Sequence, residues 1–388
     1  MLDAFTYPVV FVHGLFGWGS DEGIDRKLPY WGATTGSLVD FLTGEGVECY
    51  SASVGPISSA WDRACELYAR LTGNIVDYGV AHSAQMNHKR FGREYTQPLV
   101  PGWSADRKIH FIGHSFGGNT IRLLAHLLTY GDPDEQAATP PEELSGLFTG
   151  GKEDWVQSVV TICTPHNGTL AFEAIRKYKI LPMMQAIVYN GAAFLGRSPV
   201  EGGFVDMHLE QYGMSDTPGM DDASPMRHAK REFLRYNDNI EYDISAEGAE
   251  KLNERIEISP NIYYFSYSFN AVTLDGKRPK ASEADFPFMR ATSSIMRLYM
   301  RGLGADKEDL RNDGLVQVSS ALHPDDEPFV RYKKQTPVPG IWHVMPTLFG
   351  DHGTPIGLFA GAKRTHNFYI KMMKMLQDVI DGKEEITE

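Results

Sequence analysis

The chain has 388 residues, is 42% hydrophobic and carries a formal net charge of −13. Its lysines and arginines fall in short, scattered groups, which excludes the continuous basic face that tracks a phosphate backbone, so no nucleic-acid partner is expected. Three cysteines, Cys49, Cys65 and Cys163, allow one disulfide at most, and no uninterrupted apolar run reaches the roughly 20 residues that span a bilayer.

The opening stretch MLDAFTYPVVFVHG has neither a basic leader nor a small-residue cleavage site, so no export signal is expected in this sequence. Its core, YPVVFVHG (7–14), is a β-branched run closed by glycine and reads as a buried strand. A helix is expected around 33–44, a strand at 47–55, and a helix at 59–72, where Ala60, Ala64, Leu67, Tyr68 and Leu71 fall at helical spacing. The strand KIHFIG (108–113) precedes a helix over 117–130 with Ile121, Leu124, Ala125 and Leu128 on its inner face. VQSVVTIC (156–163) and NIYYFSYSF (261–269) read as further strands, and 361–382 as a closing helix. The Pro, Gly and acid-rich stretches 131–153 and 214–225 read as surface loops. Strands alternating with helices predict a mostly parallel sheet covered on both faces.

Gly113-His114-Ser115-Phe116-Gly117 fits G-x-S-x-G, with a strand before it and a helix after it. That context defines the nucleophile elbow of the α/β-hydrolase fold, in which a strained turn lifts the serine hydroxyl above the sheet. A serine needs a base, and the base a carboxylate, in the chain order Ser, acid, His. Four histidines follow at sufficient distance: His323, His343, His352 and His366. His366 falls within the closing helix, whereas His352 occupies the Gly-rich loop FGDHGTPIG, so His352 is the candidate base and His343 the alternative. Asp313, on the Asp-Gly turn of RNDGLVQVSS, is the candidate acid, with Asp309 and Asp325 as alternatives. The oxyanion hole needs two amides, expected from Phe116 and from Leu15 in HGLFG after the first strand; His13 is read as a core histidine holding that loop.

With FVHGLFGWG, GHSFGG, TPHNGT and NDGLV in order, and YWG (30–32), VGPISSAWDRACELYA (54–69), VDYGVAHSAQMNHKRFGREY (76–95) and GAEKLN (248–253) between them, the chain resembles the secreted bacterial true lipases of the α/β-hydrolase fold. The likeness is greatest to the thermostable lipases of thermophilic bacilli, with the staphylococcal lipases as cousins. It implies one domain over 1–388, zinc-holding extra segments at 56–105 and 226–250, and a helical lid at 170–200. By the same resemblance Asp62, His82, His88 and Asp238 hold a structural Zn²⁺; Asp243 is the alternative to Asp238. Four protein ligands leave no open position for water, which suits a structural site. His82 and His88, six apart, cannot share one helix face, so a loop is expected there.

The family often binds calcium through carboxylates shortly after the catalytic histidine. DHGTPIGLFAGAK supplies none after His352, so the loss of that site is expected. Ile180, Met183, Met184, Ile187 and Val188 fall at helical spacing in the lid segment; without the resemblance such a stripe would read as core-facing. The Met-rich stretch 288–304 is expected to line an acyl groove or to pack beneath the lid.

The resulting expectation is a serine carboxylic-ester hydrolase, a triacylglycerol lipase working through an acyl-enzyme on lipid at an oil–water interface, secreted by resemblance. The same triad serves a carboxylesterase or phospholipase. Two rivals are a hydrolase whose zinc activates water and a non-catalytic lipid-binding relative.

Overall fold

The computed structural model describes residues 5–177, 206–213, 235–274, 280–281 and 283–382. Its strands are β1 (Val9–Val12), β2 (Cys49–Ala52), β3 (Ile75–Asp77), β4 (Phe91–Glu94), β5 (Ile109–His114), β6 (Val156–Ile162), β7 (Tyr263–Tyr267), β8 (Phe269–Asn270), β9 (Phe329–Arg331), β10 (Trp342–Val344) and β11 (Leu348–Phe349). Seven form one sheet in the order β2-β1-β5-β6-β7-β10-β9, and every pairing in it is parallel. The expected α/β-hydrolase architecture is what these strands build.

Period-two alternation splits the core into two layers. Val10 and Val12 point to one face, where the helices Ala60–Thr72 and Phe116–Tyr130 bury Ala64, Leu67, Leu71, Ile121, Leu124 and Leu128. Val9 and Phe11 point to the other, against Leu38 and Leu42 of Leu38–Gly44 and Tyr369, Met372, Met373 and Leu376 of Ala362–Ile380. Both faces of β1 and β5 are therefore covered, and that is why VVFV of β1 runs apolar without alternating.

β1 pairs with β2 on one side and β5 on the other, so the chain order reverses at β1. Loops that leave neighbouring strands in opposite directions open a crevice at their carboxyl ends. Residues just after β1 and just after β5 face that crevice, with Val12 beside Gly113 in the register.

Several boundaries differ from expectation. The first helix begins at Leu38, not 33, because Gly36 adopts φ 88° and Ser37 caps the Asp40 amide. The stretch 131–153 holds a short helix, Pro133–Ala138, capped by Asp132. β9 and β10 have no counterpart in the sequence reading. Residues 214–225 lie outside the described residues.

Candidate active site and metal centre

Ser115 stands between β5 and the helix Phe116–Tyr130 with φ 56° and ψ −131°. A non-glycine residue there is strained, and it is held by bonds on both sides: its amide donates to Ile162 O at 2.8 Å, and its carbonyl accepts from Gly118 N at 3.0 Å. The turn is possible only without side chains beside it. A Cβ on Gly117 would lie 2.1 Å from the Val12 carbonyl oxygen, and one on Gly113 2.5 Å from the Gly117 carbonyl carbon.

Asp313 and His352 meet although they are 39 positions apart. His352 Nδ1 lies 2.8 Å from Asp313 Oδ2, and both side chains are buried. The carboxylate is fixed by the turn that follows it, since Oδ1 accepts from the amides of Leu315 and Val316 at 2.9 and 2.7 Å. The His352 amide donates to the Asp313 carbonyl at 2.9 Å, so main chain and side chain bind the two residues together. The His352 ring lies 4.8 Å, centre to centre, from that of His114, the residue before Ser115.

The alternatives are occupied elsewhere. His343 uses Nδ1 on the Tyr264 carbonyl and Nε2 on the Val338 amide. His366 stacks on Phe41, and Asp325 accepts from Asn167. Asp309 is exposed.

The amide of Phe116 opens its helix and is one of the orphan donors of a helix start. Leu15 directly follows His13 and Gly14, the two residues after β1, and among the described residues nothing accepts from its amide. The next amide, of Phe16, is already donated to Pro56 O. His13 is fully buried, with burial and then Arg63 pulling its pKa down, as suits a neutral core histidine.

Asp62, His82, His88 and Asp238 form a second cluster, each offering a ligand atom within 4.8 Å of the others. His82 Nε2 lies 3.3 Å from Asp62 Oδ1 and 3.6 Å from Asp238 Oδ1; His88 Nε2 lies 3.4 Å from Asp238 Oδ2. Asp62 Oδ1, His82 Nε2 and His88 Nε2 are buried without a hydrogen-bond partner among the described residues. Three orphaned polar atoms converging on one point beside a second carboxylate fit a cation, which would satisfy all of them at once.

The surroundings hold these donors in place. Gln211 Nε2 donates to Asp62 Oδ2 and Tyr212 OH to Asp238 Oδ2, each at 2.8 Å. His88 Nδ1 faces the Lys89 carbonyl at 2.8 Å, which puts the ring proton there and leaves Nε2 its lone pair. Trp61 stacks on His82 at 5.0 Å. The expected loop is corrected in one respect: His82 lies in the helix Val80–Met86. The left-handed Asn87 (φ 57°) ends that helix and swings His88 round to the same point. Asp243 instead accepts from the Ala60 amide at 2.7 Å, which leaves Asp238 as the carboxylate in the cluster.

Gln211 and Tyr212 carry no sequence signal of this role, nor does Cys163. The Cys163 thiol joins His114 and His352 in a third group of close donor atoms. Both His114 nitrogens and His352 Nδ1 already hold hydrogen bonds, so this group is not an open metal site. Burial and then Asp313 push the thiol pKa up, which keeps it protonated.

Of the segment read as a lid, the helix Ala171–Lys177 is described and 178–200 lie outside the described residues. The Met-rich stretch is the helix Pro287–Gly302; its Met296 and Met300 pack with Ala171 and Leu310 in a small separate core. That contact places it against the start of the lid segment.

Comparison with known proteins gives one consistent result. The family described as lipase-like, C-terminal domain, matches residues 5–388. Lipase 2 of Staphylococcus aureus is 35% identical over 377 residues, covering 94% of this chain and 53% of the relative, so the chain spans about half the length of the curated relatives it matches. The crystal structure of Staphylococcus hyicus lipase superposes with a TM-score of 0.79 at 33% identity, covering 97% of both chains. EstA from Clostridium botulinum gives 0.80 at 32% identity, covering all of this chain and 90% of its own. The chain belongs to the lipase-like C-terminal domain family.

Proposed function

We propose that this chain is a serine carboxylic-ester hydrolase that cleaves fatty-acyl esters as a triacylglycerol lipase. The observation that carries this reading is the buried 2.8 Å contact between His352 Nδ1 and Asp313 Oδ2, with the His352 ring 4.8 Å from that of His114, the residue before the strained Ser115. His352 Nε2 takes the hydroxyl proton as Ser115 Oγ adds to the ester carbonyl, and Asp313 holds the tautomer and stabilises the imidazolium. The amides of Leu15 and Phe116 donate to the tetrahedral oxyanion; losing one such donor costs roughly 3 kcal/mol of barrier. The proton then passes from His352 to the leaving alkoxide. Water, deprotonated by the same imidazole, hydrolyses the acyl-enzyme and releases the fatty acid.

Asp62, His82, His88 and Asp238 would hold a structural Zn²⁺, a match of two imidazoles and two carboxylates to a tetrahedral ion. The ion would contribute folding energy and no reacting group. No calcium is assigned after His352: 353–363 contain no carboxylate, and Asp351 gives its oxygens to the amides of Phe286, Gly353 and Thr354. Residues 170–200 would form the lid and 56–105 with 226–250 the metal-holding segments of one domain. No helix among the described residues is long and apolar enough to cross a membrane. Secretion belongs to the proposal on family resemblance.

The deciding experiment is labelling with a fluorophosphonate probe followed by peptide mapping. The label is expected on Ser115 alone, and Ser115→Ala is expected to abolish turnover of a short p-nitrophenyl ester with an unchanged melting curve. Near-native turnover by Ser115→Ala, or a label elsewhere, would refute the mechanism. A non-catalytic lipid-binding relative would take no label.

A further inference from the structure

Between the oxyanion loop and the His352 loop lies a file of buried polar groups that the mechanism above does not use. Gly14 N donates to the Tyr30 hydroxyl at 3.1 Å. That hydroxyl lies 2.6 Å from His114 Nδ1, and His114 Nε2 lies 2.9 Å from the His352 carbonyl oxygen. All are buried.

The proton positions follow from the end of the chain. A carbonyl only accepts, so His114 Nε2 carries the ring proton. A neutral imidazole then has its lone pair on Nδ1, so the Tyr30 hydroxyl must donate to it. The hydroxyl oxygen in turn accepts from Gly14. Each member has one role, and exchanging any of them would orphan a buried group. Burial holds the phenol protonated and, with His352 second, holds His114 neutral. A neutral His114 places no positive charge beside the imidazolium that forms on His352 during turnover.

The chain of bonds joins three segments that approach from different strands. Gly14 precedes Leu15, the proposed oxyanion donor after β1. His114 precedes Ser115 after β5. The His352 main chain is gripped on both sides, by the Asp313 carbonyl at its amide and by His114 at its carbonyl. We propose that Tyr30 and His114 are positioning residues: the sequence Gly14 amide, Tyr30 hydroxyl, His114 imidazole, His352 carbonyl sets the distance between the oxyanion hole and the general base. This rests on the ester-hydrolase reading. It requires a fixed tautomer on His114, which simple packing does not.

Two measurements test it. In histidine-¹⁵N-labelled protein at pH 8, long-range ¹H–¹⁵N correlation is expected to show His114 protonated on Nε2 alone, and Tyr30→Phe, which leaves the His352 carbonyl in place, is expected to keep that tautomer while shifting the Nδ1 resonance through loss of its hydrogen bond. In kinetics normalised to fluorophosphonate-titrated sites, so that unfolded protein is not counted, Tyr30→Phe is expected to lower kcat by about 10- to 100-fold with KM changed less than about threefold, since a displacement near 1 Å costs on the order of a hundredfold. His114→Gln, which keeps a donor and an acceptor, is expected to retain more kcat than His114→Leu. An Nδ1-protonated His114 in the native protein, a Tyr30→Phe kcat within threefold of native, or equal kcat for His114→Gln and His114→Leu would each overturn the proposal. A native chain that takes no probe and cleaves no ester overturns the ester-hydrolase reading instead; the tautomer measurement then still decides whether the bond chain exists.

Discussion

Asp313→Asn separates the electrostatic part of the site from its architecture. Asp313 Oδ1 accepts from the amides of Leu315 and Val316, while Oδ2 faces His352 Nδ1. An asparagine in this place must keep its oxygen on the two amides, because both are donors. Its NH₂ group is then turned on His352 Nδ1, which has to present a lone pair. The ring proton moves to Nε2, the nitrogen that should accept the proton of Ser115. Both amides keep an acceptor, so stability should change by less than about 1 kcal/mol, whereas Asp313→Ala orphans them at about 1–3 kcal/mol. The wrong tautomer and the lost negative charge should together lower kcat by about 10⁴-fold, as in the corresponding change in a serine protease. That is about 5–6 kcal/mol of barrier. Turnover of p-nitrophenyl butyrate at pH 8, with a melting curve in parallel, measures both. An Asn variant retaining more than a tenth of native kcat with native melting would show that Asp313 is not the carboxylate behind the base.

The other expectations concern the frame. Removing a metal held by the cluster with dipicolinate should leave Asp62 Oδ1 and the Nε2 atoms of His82 and His88 buried without a partner, a penalty of several kcal/mol. The melting temperature should fall by about 10 °C while esterase activity at 20 °C persists, and metal analysis of untreated protein should give one zinc per chain. Immediate loss of activity with unchanged melting would favour a catalytic metal. Gly117→Ala should destabilise by at least about 1–3 kcal/mol, because the obstacle 2.1 Å from the new Cβ is the backbone oxygen of Val12; denaturant unfolding of the purified variant tests this. His208 is buried between Glu22 and Glu66, at 3.2 and 3.7 Å. Burial opposes its charge, but Glu22 and Glu66 outweigh it and raise its pKa to about 9. A pKa raised on folding adds stability in full below the ordinary value near 6.5 and loses it as pH rises through about 9. The difference in urea midpoint between native protein and His208→Gln should therefore be largest near pH 6 and shrink above pH 9; a difference that grows with pH would contradict the pairing.

The elbow was legible because its requirements are local. A β-branched run, two glycines that admit no Cβ and a helical stripe can all be read within 25 residues. The pairing of Asp313 with His352 was suggested by chain order together with turn composition. β9 and β10 were not legible: each has three residues, too few to show a period, and FVR is largely exposed. They exist as strands because β7 offers β10 an edge and β10 offers β9 another. The spacing of His82 and His88 correctly excluded a shared helix face, but not the device used, a helix ended by a left-handed asparagine. The bond between Tyr30 and His114 spans 84 positions and depends on where the sheet sets two loops, which no local pattern encodes.

The proposed metal cluster and the proposed nucleophile are linked through two consecutive residues. Asp62 points to the metal cluster. Arg63, the next residue of Ala60–Thr72, points to the other side, donating to the carbonyls of His13 and Gly55 and to Thr120 Oγ1 in the helix that follows Ser115. Arg63 is buried with no carboxylate hydrogen-bonded to it among the described residues, and desolvation lowers its pKa to about 10 despite the influence of Glu66. A buried guanidinium satisfied mainly by carbonyls holds its position only while the loops that supply them stay in place. The loop before Leu15, the helix after Ser115 and the helix that carries Asp62 are thus clamped by one side chain. Loss of an ion from the cluster would loosen the helix from its Asp62 side, whereas the Arg63 contacts to the loop of the proposed oxyanion donor would persist until the helix itself gave way. For that reason a structural metal here should be felt first in melting and only afterwards in turnover.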